Sequence, residues 1–276
     1  MWYTFEPKRD AGGDQYVRDH FDISFDPVCM SQLAAGALLF LRGDVRAGDT
    51  TVERSYSLEQ VRESLRLPPE ARPYFSPGFS PLLALQHKVR IGTLEGSPAQ
   101  LPQAEPEVDS SVLRSDTGEL VWYIGPDGNG LVTVDTPRTQ ALIGFLQGTA
   151  PPLRNLAFAV TNVFGTLILS CLDGEPISRA SRLLLTTGTR VENTGQQWNA
   201  ARTEVTARGG PPPRIEPVRG RIMLRGLEDA AAVHVAALDG AGEPLGAPVP
   251  AAQTPAGWVI TIGEPATPWY EIVVQR

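Results

Sequence analysis

The chain has 276 residues, of which 42% are apolar and 20% charged, and a formal net charge of −7. That length suffices for one large or two ordinary folded domains. An acidic balance with arginines spread along the chain excludes a phosphate-tracking nucleic-acid footprint. No apolar run is long enough to span a bilayer as a helix, and no basic stretch precedes an apolar one in the manner of a secretory signal. The expectation is a soluble protein with neither nucleic-acid nor membrane partners.

Residues 1–48 open on an aromatic, strand-like run, Trp2-Tyr3-Thr4-Phe5-Glu6-Pro7-Lys8, followed by a polar loop from Arg9 to Asp22. Asp26-Pro27 predicts a helix start, an N-cap acceptor followed by a proline in the first turn. Val28, Leu33, Ala37, Leu38 and Leu41 then recur at helical spacing, Ala34, Ala35 and Gly36 are small enough for close packing, and Gly43 ends the helix. Residues 49–110 are a connecting region. Ser57-Leu58-Glu59-Gln60 opens a short helix in the manner of a capping box, Val89-Arg90-Ile91-Gly92 reads as a strand, and Pro98 to Val108 as an exposed loop.

Residues 111–210 read as a β-sandwich. Leu120 to Ile124 and Leu131 to Asp135 flank the turn residues Gly125 to Gly130, which predicts a hairpin. Ala141 to Leu146, Leu156 to Asn162, Thr166 to Leu172 and Ser181 to Thr187 supply further strands at regular spacing. Pro211-Pro212-Pro213 marks either a joint to a second sandwich-like module or an edge loop, and residues 211–276 carry strands at Gly220 to Leu224, Ala232 to Leu238, Trp258 to Ile262 and Tyr270 to Val274. Short strands at this spacing point to a mainly β fold rather than to βαβ units.

The side chains that carry chemistry are sparse. Cys29 and Cys171 are isolated and read as buried free thiols rather than a disulfide framework or a zinc pattern. Asp10, Asp14, Asp19, Asp22 and Asp26 crowd one loop beside His20, but without the spacing of a calcium loop; no metal and no cofactor is expected. His234 sits within Val233-His234-Val235 as a core or sheet-face histidine. Ser80 lacks the closing glycine of a nucleophile elbow, which leaves a Ser80–His87 pairing weak. Trp122 and Trp258 read as core. Trp198, loop-borne among Gly195-Gln196-Gln197 and Asn199, is the better candidate for stacking on a sugar. Arg138 is expected to lock its turn by pairing with a carboxylate.

Trp2-Tyr3-Thr4-Phe5-Glu6, Phe21-Asp22-Ile23 and the helix from Asp26-Pro27 to Arg42-Gly43-Asp44 resemble the last βα unit of the (β/α)8 barrel in retaining glycoside hydrolases, the superfamily that includes cellulases and β-galactosidases. Ser115 to Glu119, Val134 to Gln140 and Arg190 to Thr194 resemble the β-rich C-terminal region of large bacterial members. The resemblance implies a barrel-end βα remnant followed by β-sandwich modules, with Trp2 as the aromatic floor of a sugar site. Retaining glycosidases need two carboxyl groups roughly 5–5.5 Å apart. In the resembled barrels these come from the fourth and seventh strands, which would precede Met1, so the expected function is that of an accessory, carbohydrate-contacting region. Two other readings stay open: a small active glycosidase using Glu6 and Asp22, and a purely structural sandwich. The helix face of Leu33, Ala37 and Leu41, deprived of barrel neighbours, implies self-association.

Overall fold

The structure, a computed structural model, describes residues 8–9, 16–17, 23, 26–66, 82–96, 111–125, 127–147 and 152–276. Its elements in chain order are β1 (Lys8–Arg9), β2 (Tyr16–Val17), α1 (Pro27–Leu41), β3 (Thr51–Ser55), α2 (Leu58–Arg66), α3 (Leu83–Gln86), β4 (Lys88–Thr93), β5 (Val112–Arg114), β6 (Leu120–Ile124), β7 (Gly130–Asp135), β8 (Thr139–Phe145), β9 (Leu156–Val160) and β10 (Phe164–Cys171), and then β11 (Arg182–Gly188), β12 (Val191–Thr194), β13 (Gln197–Trp198), β14 (Val205–Ala207), β15 (Gly210–Ile215), β16 (Gly220–Leu224), β17 (Ala232–Leu238), β18 (Ala251–Thr254), β19 (Gly257–Ile262) and β20 (Trp269–Gln275). The fold is mainly β, as the strand spacing predicts. The chain divides into two units, residues 1–44 with 137–276, and residues 45–136.

The larger unit is a sandwich. Strands follow one another antiparallel in the order β17-β20-β11-β10-β8, and a second sheet runs β18-β19-β16-β9. Period-two alternation turns one face of each sheet inward. Leu167, Leu169, Leu183, Leu185 and Ile272 on the first and Leu156, Ile222, Leu224 and Ile260 on the second are all 0% exposed. Two polar ties join the sheets: Gln140 on β8 is hydrogen-bonded to Asn155 just before β9, and the buried Tyr270 hydroxyl on β20 accepts from Gly263 N–H beyond β19 and donates to the Pro265 carbonyl. Burial pushes the Tyr270 phenol up.

Strands on both sides of residue 211 share these sheets: β16 pairs with β9, and β20 with β11. The joint expected at Pro211–Pro213 therefore does not separate two modules. Those prolines lie in β15, which among the described residues pairs only with β12; a two-stranded edge is where missing ladder donors cost least.

Helix α1 docks on β10, β11 and β15. The Asp26 carboxylate accepts the N–H groups of Val28 (3.0 Å) and Cys29 (2.9 Å), an N-cap that typically contributes about 1 kcal/mol. Gly43, at φ +60°, takes the left-handed turn that ends the helix. The docked side is small and polar rather than leucine-rich: Ser31 and Ala35 are buried, Gln32 donates to the Thr187 carbonyl, and the Trp269 indole donates to the Ser31 carbonyl at 2.9 Å. Approach this close needs glycine at 188, where a Cβ would lie 2.9 Å from Val28 Cγ1, Gln32 Nε2 and Thr166 Oγ1 alike. Met30, Leu33, Phe40 and Leu41 are exposed, the last two at 82% and 80%.

In the smaller unit, β3 and β4 pair in parallel while β5, β6 and β7 form an antiparallel meander. The Ser57 capping box is reciprocal: Gln60 N–H donates to Ser57 Oγ (3.2 Å) and Ser57 N–H to Gln60 Oε1 (2.9 Å). Leu83, Leu113, Val121, Leu131 and Val134 are buried here.

Two expectations change. Trp122 and Trp258 are half-buried rather than core; among the described residues the largest fully buried side chain is Tyr270, followed by leucines and isoleucines. Cys29 is exposed, because it lies in the first turn of α1 away from the docked residues; Cys171 is buried, and both thiols are free. His234 lies on the outer face of β17, exposed, the sheet-face alternative of the two read from the sequence.

Candidate functional site

Between β11 and β16 the chain leaves the sandwich as a two-tier arm. In the lower tier Val191 pairs with Ile215 and Glu192 with Arg214; a bulge at Asn193–Thr194 then turns the strands, and in the upper tier Gln197 pairs with Ala207 and Trp198 with Val205. The tip is closed by Asn199, whose side chain accepts from Thr203 N–H and donates to Thr203 Oγ1 while its carbonyl accepts from Arg202 N–H. This turn forces Arg202 into the left-handed region at φ +55°, a conformation that costs a non-glycine residue about 1 kcal/mol or more.

The cost is offset by what Arg202 touches. Its guanidinium lies 5.4 Å from the Trp198 ring centroid and pairs with Glu192, and the Trp198 Nε1–H donates to the same Glu192 oxygen at 3.0 Å. Trp198 is therefore on a short strand, not in a loop, and one face of its ring carries Arg202. A pyranose has at most the other face for stacking.

Below this cluster opens a cleft of about 440 Å³ lined by Arg190, Glu192, Arg202, Arg214, Ile215 and Glu216. Glu216 accepts from Asn162 Nδ2 at 3.2 Å and faces Arg190 Nε at 3.9 Å. A smaller, mainly apolar cavity of about 100 Å³ shares Ile215 and Glu216 as walls. The Arg214 side chain makes no hydrogen bond or ion pair among the described residues, although its backbone pairs with Glu192 in the ladder. No catalytic or binding signature marks these five charged residues, although Arg190 and Glu192 fall within the stretch Arg190 to Thr194. Their signal is spacing: Arg190 and Glu192, and again Arg214 and Glu216, stand two apart and so share a strand face.

Trp2, Glu6, Asp22, His20 and Ser80 lie outside the described residues. Among the described residues no group of three or more His, Cys, Asp or Glu side chains converges as a metal site. Arg138 does lock its turn, and its carboxylate is Asp44: Nε lies 3.0 Å from Oδ1, while Nη2 donates to the Arg42 carbonyl.

In the smaller unit, His87 Nδ1 lies 3.0 Å from Asp116 Oδ2, and the same carboxylate accepts from Thr50 N–H (2.8 Å) and Asp49 N–H (3.0 Å). The His87 hydrogen bond first, and the backbone donors after it, hold the Asp116 carboxyl well below its ordinary 3.8. A group whose folded value is depressed stabilises the fold above its unfolded value and loses that contribution as pH falls through the folded one. The 45–136 unit is accordingly expected to lose stability progressively below pH 3.8. Urea midpoints read by β4 amide exchange at neutral and strongly acid pH check this, and Asp116→Asn should flatten the dependence; a wild-type midpoint that does not move with acid would show that this clamp contributes nothing.

Compared with known proteins, the chain matches no family model, no curated protein and no solved structure.

Proposed function

We propose that the protein is an accessory β-sandwich of the glycoside-hydrolase kind, a binding module whose carbohydrate contact is the cleft at the foot of the 189–216 arm. The observation that carries this reading is the make-up of the cleft. Its volume of about 440 Å³ falls in the range of small-molecule sites, roughly 300–1,000 Å³. Its walls set guanidinium beside carboxylate twice, Arg202 with Glu192 and Arg190 with Glu216. Vicinal hydroxyls of a sugar each need a donor and an acceptor, and alternating groups of this kind meet both at once. Trp198 borders the cleft through Glu192 and Arg202, with an indole already oriented by its hydrogen bond.

Calorimetric titration with neutral and acidic oligosaccharides tests the reading. Wild type should bind at least one of them, and Trp198→Ala should weaken that binding about tenfold, or about 1.4 kcal/mol. Trp198→Phe, which keeps an aromatic face, should retain part of it. Absence of binding across the panel would leave a purely structural sandwich. Release of reducing ends that vanishes in Glu6→Gln or Asp22→Asn would replace the accessory role with an active glycosidase.

A further inference from the structure

We infer that the ligand of this cleft is an acidic saccharide, its carboxylate received by Arg214; the inference rests on the carbohydrate reading above and narrows it. Three guanidiniums face two carboxylates across the cleft, which leaves one positive charge in the walls of a protein whose net charge is −7. Both carboxylates are already engaged. Glu192 accepts from Trp198 and from Arg202, and Glu216 from Asn162 with Arg190 alongside.

Arg214 is the exception. The ladder sets it directly across from Glu192, where opposite charges usually pair. That pair does not form, because Trp198 and Arg202 hold the Glu192 carboxylate on their own side. The Arg214 guanidinium lines the cleft with its fork of donors unused. A planar fork matches a carboxylate in two parallel hydrogen bonds. A doubly charged phosphate fits less well, since it would bring two negative charges against Glu192 and Glu216 with a surplus of only one positive. A neutral sugar would satisfy the alternating walls but leave Arg214 without a partner.

The test uses the intact protein and three probes: trigalacturonate, its fully methyl-esterified form, and citrate. Trigalacturonate should bind at least tenfold more tightly than the ester, and Arg214→Gln should remove that preference by weakening the acid far more than the ester. Raising the ionic strength should weaken binding of the acid and not of the ester. Equal affinity for acid and ester, or no effect of Arg214→Gln, would overturn the inference and leave the carbohydrate reading standing. Citrate binding as tightly as trigalacturonate would overturn both by reducing the cleft to a simple anion site; failure of both saccharides to bind would overturn the inference, and the neutral oligosaccharides of the wider panel would then decide the carbohydrate reading. Because Arg214 is exposed and unpaired, Arg214→Gln should fold as wild type, which a circular dichroism melt confirms.

Discussion

Asp44→Ala is expected to destabilise the larger unit by about 3–5 kcal/mol, the usual cost of removing one partner from a buried ion pair. The Asp44 side chain is 0% exposed and sits between two arginines. Arg42 Nη2 lies 2.5 Å from Oδ2, Thr139 Oγ1 donates to the same oxygen at 2.7 Å, and Arg138 Nε lies 3.0 Å from Oδ1, close enough for charge attraction though not aligned as a hydrogen bond. Arg42 also donates to the Cys171 carbonyl, so the cluster ties the end of α1 to β8 and β10. Alanine would leave two guanidiniums facing each other, with Arg42 only 17% exposed and unable to reach much water. Asp44→Asn, which keeps an acceptor for Thr139 but loses the charge, should fall between. Exchange of the Leu167 to Cys171 amides reports this unit separately from residues 45–136. A loss below about 1 kcal/mol would mean the cluster behaves like an exposed pair.

Much of this architecture was legible from local signals. β16 and β17 begin and end at the expected residues, and the β6–β7 hairpin is set by its alternation and by the turn residues at 125–130. Asp26-Pro27 and Gly43 bracket α1 for reasons contained within the helix itself. What was not legible depends on partners distant in sequence. Thr51–Ser55 carries Glu53 and Arg54 and shows no apolar alternation; it becomes a strand through parallel pairing with β4. β15 begins with a run of prolines that reads as a linker, and it becomes a strand because β12 lies beside it.

The same limit governs the candidate site. Along the chain, Arg190 and Glu192 stand out only as part of the stretch Arg190 to Thr194, and nothing local marks Arg214 or Glu216. Only the register that sets Glu192 across from Arg214 gathers them into one cleft. Trp198 was legible as a candidate because a tryptophan among hydrogen-bonding neighbours stands out. The guanidinium over its ring was not, since it depends on Arg202 taking a left-handed backbone at the tip of the arm.

Gln140→Leu should also be costly, about 2–4 kcal/mol, although it replaces a buried polar side chain with an apolar one of similar size. Gln140 is 0% exposed and lies directly across from Leu169 on β10. Burying a leucine there gains about 1–2 kcal/mol by transfer. Against this, the Gln140 Oε1 accepts the Asn155 backbone N–H at 2.9 Å, and its Nε2 donates to Asn155 Oδ1 at 3.1 Å. Leucine would strand both groups, at about 1–3 kcal/mol each, in a place where Asn155 is only 5% exposed. The penalty wins. Asn155 in turn donates to the Arg225 carbonyl and accepts from Arg225 N–H through its own, so the loss would pass to the start of β9 and the end of β16. No second substitution at 155 repairs the backbone donor, so Gln140→Leu combined with Asn155→Leu should remain destabilised relative to wild type. A denaturation midpoint for Gln140→Leu at or above the wild-type value would show instead that apolar packing alone holds the two sheets together.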